Sequence, residues 1–223
     1  MPLQPPPTPA RLRDLPARSL AGTTLHRIYR RQRTTCWWFA SLPPDSEARE
    51  HGRFDLPAPD GSCYLATSAL AAVLQAFQDF GRGVLPDAEL RRRRLGTVQV
   101  PAGTPRAAHL TAARARGLGV SAALCAGEDR TLTQAWAQAL RRAGWQLLHH
   151  GIQHDPTGRL RGVTIFDRAG EHPPYDDVDG WWHTDQDLHD DDELRVALAR
   201  YGIHVTRSDP SLPVVSLDDS DLV

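Results

Sequence analysis

The sequence predicts an α+β fold, a mixed sheet with packed helices. Three observations lead there. Amphipathic helical stripes alternate with short apolar runs of strand character, but without the regular strand–helix alternation of a doubly wound sheet. No strand is followed by the glycine fingerprint that binds a dinucleotide at a helix N-terminus. No run approaches the roughly 18 apolar residues of a membrane helix.

In chain order, residues 1–20 carry Pro2, Pro5, Pro6, Pro7, Pro9 and Pro16 and read as an extended, poorly packed N-terminal arm. One domain is expected to fill 21–207, and a Pro-containing acidic tail, with one short strand at Val214 and Val215, the residues 208–223. Leu25 to Tyr29 is a short strand candidate, and Cys36-Trp37-Trp38-Phe39 is an aromatic run expected to be buried. Ser62 to Thr67 reads as a strand ending at a capping residue. From Ser68 to about Phe80 the apolar positions Leu70, Val73, Leu74 and Phe77 keep helical spacing, with Gly81 and Gly83 as stop signals. Pro86-Asp87-Ala88-Glu89 starts a helix that carries Arg91 to Arg94 on a solvated face, and Thr97 to Val100 is a strand. Ala107 to Arg116 reads as a helix closed by Gly117. Thr131 or Thr133 caps the next helix, whose stripe is Trp136, Ala139, Leu140 and Ala143. Leu147-Leu148 and Val163 to Phe166 are strands on either side of a polar turn at Asp155-Pro156-Thr157-Gly158. A loop from Glu171 to His183 precedes a last helix, about Asp192 to Tyr201, stopped by Gly202.

Charge narrows the function classes. The 26 basic and 27 acidic residues leave a formal net charge of −1, so no whole-molecule field attracts nucleic acid or an anionic membrane. The N-terminus lacks the apolar core of a secretory signal, which points to the cytoplasm. Three cysteines, Cys36, Cys63 and Cys125, are odd in number and not at metal-like spacing, so they read as small buried hydrophobes. His149, His150, His154 and Asp155 form one group, and His183, Asp185, His189 and Asp190 another. Without an HExxH or cysteine-pair spacing, both read as solvated loops and no metal is expected. The pair Trp181-Trp182 reads as buried packing.

Four ordered segments carry a resemblance. Leu25-His26-Arg27-Ile28-Tyr29, Gly52-Arg53-Phe54-Asp55, Cys63-Tyr64-Leu65-Ala66 and the helix bearing Gln75 resemble the RES family. Its members have an early arginine, a Gly-Arg-aromatic segment, a strand ending in Tyr-x-Ala, and a helix bearing a glutamate. Arg53 to Tyr64 and Tyr64 to Gln75 are each eleven residues apart. Thr133 to Gly144, Gly151-Ile152 and Val163 to Asp167 are similar to the family's later segments, so the likeness covers about residues 21–170.

The resemblance implies a fold similar to ADP-ribosyltransferases and consumption of NAD by hydrolysis, phosphorolysis or ADP-ribosyl transfer. It also implies a toxin neutralised by a helix-turn-helix (Xre-type) antitoxin. By the same token Arg27, Tyr64 and Gln75 take the catalytic positions, and Arg27, Tyr29, Arg53, Tyr64 and Thr157 face NAD. Chemistry agrees with those residue types. Arginine forks grip pyrophosphate, aromatic rings pack on the nicotinamide end, and a carboxylate stabilises the sugar cation that forms. Two positions depart from the family. Gln75 is uncharged where the glutamate belongs, and the family's serine falls on Pro156 or, with a shift of one, on Thr157, which keeps a hydroxyl. Asp79, one helical turn after Gln75, is a candidate to supply the missing charge.

Overall fold

Local chemistry sets the order of elements in the computed structural model, which describes residues 3–77, 83–172 and 181–206. Asp79, Gly81 and the 208–223 tail lie outside the described residues. Pro9 at a first-turn position opens the short helix α1 (Pro9–Leu12), followed by β1 (Ala17–Arg18) and β2 (Thr24–Arg30). The short strands β3 (Trp38–Phe39), β4 (Ser41–Leu42) and β5 (Leu56–Pro57) lead to the long β6 (Asp60–Ala66). Helix α2 (Ala69–Ala76) begins where the Ser68 hydroxyl accepts from the Ala71 N–H at 3.2 Å. Then come β7 (Val84–Pro86), α3 (Asp87–Arg91), β8 (Arg93–Gln99), β9 (Ala107–His109) and α4 (Ala123–Ala126). Helix α5 (Arg130–Arg142), β10 (Leu147–Gly151), β11 (Arg161–Arg168), β12 (Gly170–Glu171), β13 (Trp182–Asp187), α6 (Asp192–Arg200) and β14 (His204–Thr206) complete the chain.

The expected α+β class is observed. Eight strands form one mixed sheet in the order β1-β9-β10-β11-β6-β2-β8-β13, with β9 and β10 parallel and the other neighbours antiparallel. One face packs on α5 through Trp136, Leu140, Leu148, Phe166 and Phe54. The opposite face is covered by Trp37, Cys36 and Phe39 over Leu65, Val163 and Val98. Among the described residues no helix is long and apolar enough to cross a membrane.

Several expectations need correcting. The N-terminal arm is packed: Leu12 and Leu15 are buried against α5, and the Trp136 and Trp145 indole N–H groups donate to the Gln4 and Leu12 carbonyls at 2.8 and 2.9 Å. The cap of α5 is Asp129, which accepts from the Leu132 N–H at 2.9 Å, while Thr133 lies buried inside the helix. Ala107 to His109 is a strand, because pairing with β10 outweighs the helix preference of alanine, and Ala113–Leu118 is only a 3-10 helix. The four-arginine run is not one helical face. α3 ends at Arg91, and Arg93 and Arg94 pair with Arg30 and Tyr29 on β2. His149 and His150 sit on central β10, buried, rather than in a loop. Trp181 packs edge-on against Trp37 with ring centres 5.6 Å apart, but Trp182 is 59% exposed.

Candidate active site

The site originates in a defect of strand pairing. β2 and β6 are neighbours, yet they pair only at His26 and Ala66. Beyond that point the strands diverge, and a cavity of about 650 Å³ opens in the fork between Arg27 to Arg30 on one side and Tyr64 on the other. The segment from His51 to Asp55, the end of α2 and the turn from Gly151 to His154 close it. Arg27, Arg53, Tyr64 and Gln75, named from sequence, therefore meet at one cavity. Side-chain alternation brings Arg27 in from the face that carries Cys63, and Tyr64 from the face that packs on α5.

Arg27 is buried, at 9% exposure, and donates through Nη1 to the Cys36 carbonyl at 2.5 Å and to Cys63 Sγ at 2.5 Å. Among the described residues no other Arg27 nitrogen is bonded, so Nε and Nη2 keep their N–H groups for a ligand. Arg53, 7% exposed, donates to the Gly127 carbonyl at 2.5 Å and to Gln153 Oε1. Burial, with Arg130 nearby, lowers its pKa to about 10, so the guanidinium stays charged at neutral pH. Among the described residues neither arginine pairs with a carboxylate, and two buried positive charges border the cavity uncompensated. Arg30, Arg33 and Arg93 line it as well, against a single carboxylate, that of Asp55, among the described residues. The Arg33 guanidinium lies 3.3 Å from the centre of the Trp38 ring, and both residues are part of the cavity wall.

Tyr64 is committed to the loop above it. Its hydroxyl donates to Asp55 Oδ1 at 2.7 Å and accepts from the Phe54 N–H at 2.9 Å, while Asp55 Oδ2 accepts from the Gly52 N–H at 2.7 Å. A side chain at Gly52 would place its Cβ 2.6 Å from Asp55 Oδ1, so glycine is needed there. Burial raises the Asp55 pKa, against the pull of the Tyr64 and Gly52 hydrogen bonds. Asp55 is the residue that sequence reasoning left unassigned, although it closes the Gly-Arg-Phe-Asp segment. His150 also lines the cavity. Its ring nitrogens contact Gly151 O at 2.8 Å and Thr164 Oγ1 at 2.9 Å, and burial holds its pKa near 4, so it is neutral. Burial likewise pushes the Cys125 thiol up, leaving no thiolate nucleophile in the wall.

Two expected positions are engaged within the fold. Tyr29 borders the cavity, but its ring lies in the core cluster of Leu25, Cys36 and Trp37 and its hydroxyl faces Asp185. Thr157 is not part of the cavity wall. Its hydroxyl donates to Asp155 Oδ1 at 2.6 Å in a turn that Asp155 ties to Leu160 N–H and to the hydroxyl of Tyr201, the residue just after α6. Pro156 belongs to that turn.

No protein-family model matches the chain, and no curated protein matches it. A solved structure does: a chain in the crystal structure of the M. tuberculosis MbcT–MbcA toxin–antitoxin complex is 20% identical, with a TM-score of 0.55, over 84% of this chain and 97% of that one. The likeness is one of fold.

Proposed function

We propose that this chain is a RES-type protein that binds NAD in the fork between β2 and β6 and cleaves its nicotinamide–ribose bond. The acceptor is water, phosphate or a protein side chain. The observation that carries this reading is the meeting of Arg27, Arg53, Tyr64 and Gln75 at one arginine-lined cavity. In this reading Arg27 and Arg53 hold the pyrophosphate, and the Trp38–Arg33 stack offers a flat surface to a base. The bond breaks through a sugar cation, and the leaving nicotinamide is a neutral pyridine that needs little acid help. That fits a wall whose buried imidazole is neutral. The similarity in fold to a chain of a toxin–antitoxin complex supports a toxin role with an antitoxin as partner; that the antitoxin is of Xre type is what the family resemblance implies.

Gln75 favours a second reading, in which the protein binds NAD or a partner without turnover. It gives the cation no negative charge, and the Asp55 carboxylate is held by Tyr64 and Gly52. Purified protein incubated with NAD, with and without phosphate, separates the two. The first reading expects free nicotinamide, lost in Arg27→Ala and raised roughly 10²–10³-fold in Gln75→Glu, the size of one preorganised electrostatic group. NAD binding by calorimetry without release leaves the second reading standing. Neither binding nor release sinks both.

A further inference from the structure

We infer that the chain holds a divalent metal ion, of zinc type, at a site separate from the NAD cavity, with Cys36, His183 and Asp185 as ligands. Cys36 Sγ, a ring nitrogen of His183 and a carboxylate oxygen of Asp185 all lie within 4.8 Å of one another. His183 and Asp185 are two apart on β13, so both project from the same face of the edge strand, with His183 Nε2 3.5 Å from Asp185 Oδ2. Cys36 comes from the segment between β2 and β3 and is fully buried. A zinc ion holds such ligands at roughly 2.0–2.3 Å, which draws them to within about 4 Å of each other, a small contraction from the present spacing.

Two further features point to a ligand at this place. Gly96 on β8 pairs with Asp185, and a side chain there would put its Cβ 2.8 Å from Cys36 Cβ and 3.2 Å from Asp185 Oδ1. The glycine thus keeps open the space in which thiol and carboxylate approach. Tyr29, only 5% exposed, turns its hydroxyl toward the Asp185 carboxylate, whose buried Oδ1 is without a hydrogen bond of good geometry among the described residues. A buried carboxylate oxygen held this loosely is costly, and a cation with a water in its fourth position satisfies it. A thiolate and a carboxylate together balance a doubly charged ion. Access is provided by a surface cleft that Asp185 lines with Arg31, Arg94, Asp187 and Asp190. Asp187 in that cleft is taken by Arg31 at 2.7 Å, which leaves Asp185 as the acid facing inward.

The ion would clamp the segment after β2 to the edge strand. The Cys36 carbonyl accepts from Arg27, and Arg33 in the same segment stacks on Trp38, so the clamp steadies one wall of the cavity. The inference does not depend on NAD chemistry, and its test needs no substrate.

Full-length protein, purified without chelator, is assayed for zinc, then stripped and titrated with cobalt(II). The expected result is about one zinc per chain and, with cobalt, a thiolate-to-metal charge-transfer band. Cys36→Ser abolishes the band, Cys63→Ser retains it, and His183→Gln and Asp185→Asn lose the retained metal, each with the circular dichroism of a folded protein. Absence of the band in folded protein at saturating cobalt overturns the proposal. So does a band that survives Cys36→Ser and disappears in Cys63→Ser.

Discussion

A single hydroxyl organises the wall of the cavity. Tyr64 Oη donates a hydrogen bond to Asp55 and accepts one from the Phe54 amide, so it fixes the segment that presents Arg53. Tyr64→Phe keeps the ring and leaves a buried carboxylate and a backbone N–H each short of a partner. That costs about 1–3 kcal/mol, read as a lower urea midpoint with unchanged slope. An unchanged midpoint would mean that water replaces the hydroxyl and that Tyr64 is free to meet a ligand. At this scale the sequence was informative where chemistry is concentrated. The arginine, tyrosine and glutamine positions, each with its neighbours, meet at one cavity. The sequence was silent on Asp55, whose contacts are made only after folding, and on Asp155, which engages the Thr157 hydroxyl.

Among the elements, β10 is the one whose physics was least visible in advance. Leu147-Leu148-His149-His150 offers two apolar residues and two polar ones, and polar histidines read as a loop until neighbouring strands cover them. Once β10 lies between β9 and β11, Gly162, directly across from His150, makes room for the imidazole, since a Cβ there would come within 2.9 Å of Nδ1. The stripes of α5 and α2 were legible because they are local patterns, whereas the cap of α2 falls on Ser68, one residue after the strand-ending Thr67 that the sequence suggests. The fork between β2 and β6 was not, since register is a property of pairs of strands. Burial of β10 carries a pH consequence. It lowers the pKa of His150 to about 4 and of His149 to about 3, while both titrate near 6.5 when unfolded. Between those values the unfolded chain binds protons that the folded chain does not. Stability is thus complete above pH 6.5 and falls as pH drops toward 4, by about 2 kcal/mol at pH 5 for His150. His109 and His26, also lowered by burial, add in the same direction. Urea midpoints at pH 7.5 and pH 5 measure the effect. His149→Phe, which keeps the ring packed edge-on against His109, should lose less stability on acidification than the natural chain. An identical loss would remove His149 as a contributor.

For the whole molecule, charge and packing act over different ranges. A net charge of −1 gives no long-range pull on a polyanion, while five arginines among the described residues around one cavity give a strong local field. Such a cavity needs a rigid frame, because like charges held together repel. The N-terminal arm contributes to that frame. Its prolines suggested a loose extension, yet Leu12 is fully buried in the cluster that also holds Phe54, Trp136 and Phe166, and its carbonyl receives the Trp145 indole N–H. The arm therefore packs on the same cluster as the residue next to Arg53, and loosening one should loosen the other. Leu12→Ala removes most of a buried side chain from a site that α5 and the sheet keep from collapsing, at a cost of about 2–5 kcal/mol. If arm and sheet share one core, indole fluorescence and far-ultraviolet circular dichroism fall together at a lower urea concentration. A fluorescence change that precedes the loss of circular dichroism would instead show the arm detaching from a sheet that stands without it, and Arg53 would then owe its position to Tyr64, Gly127 and Gln153.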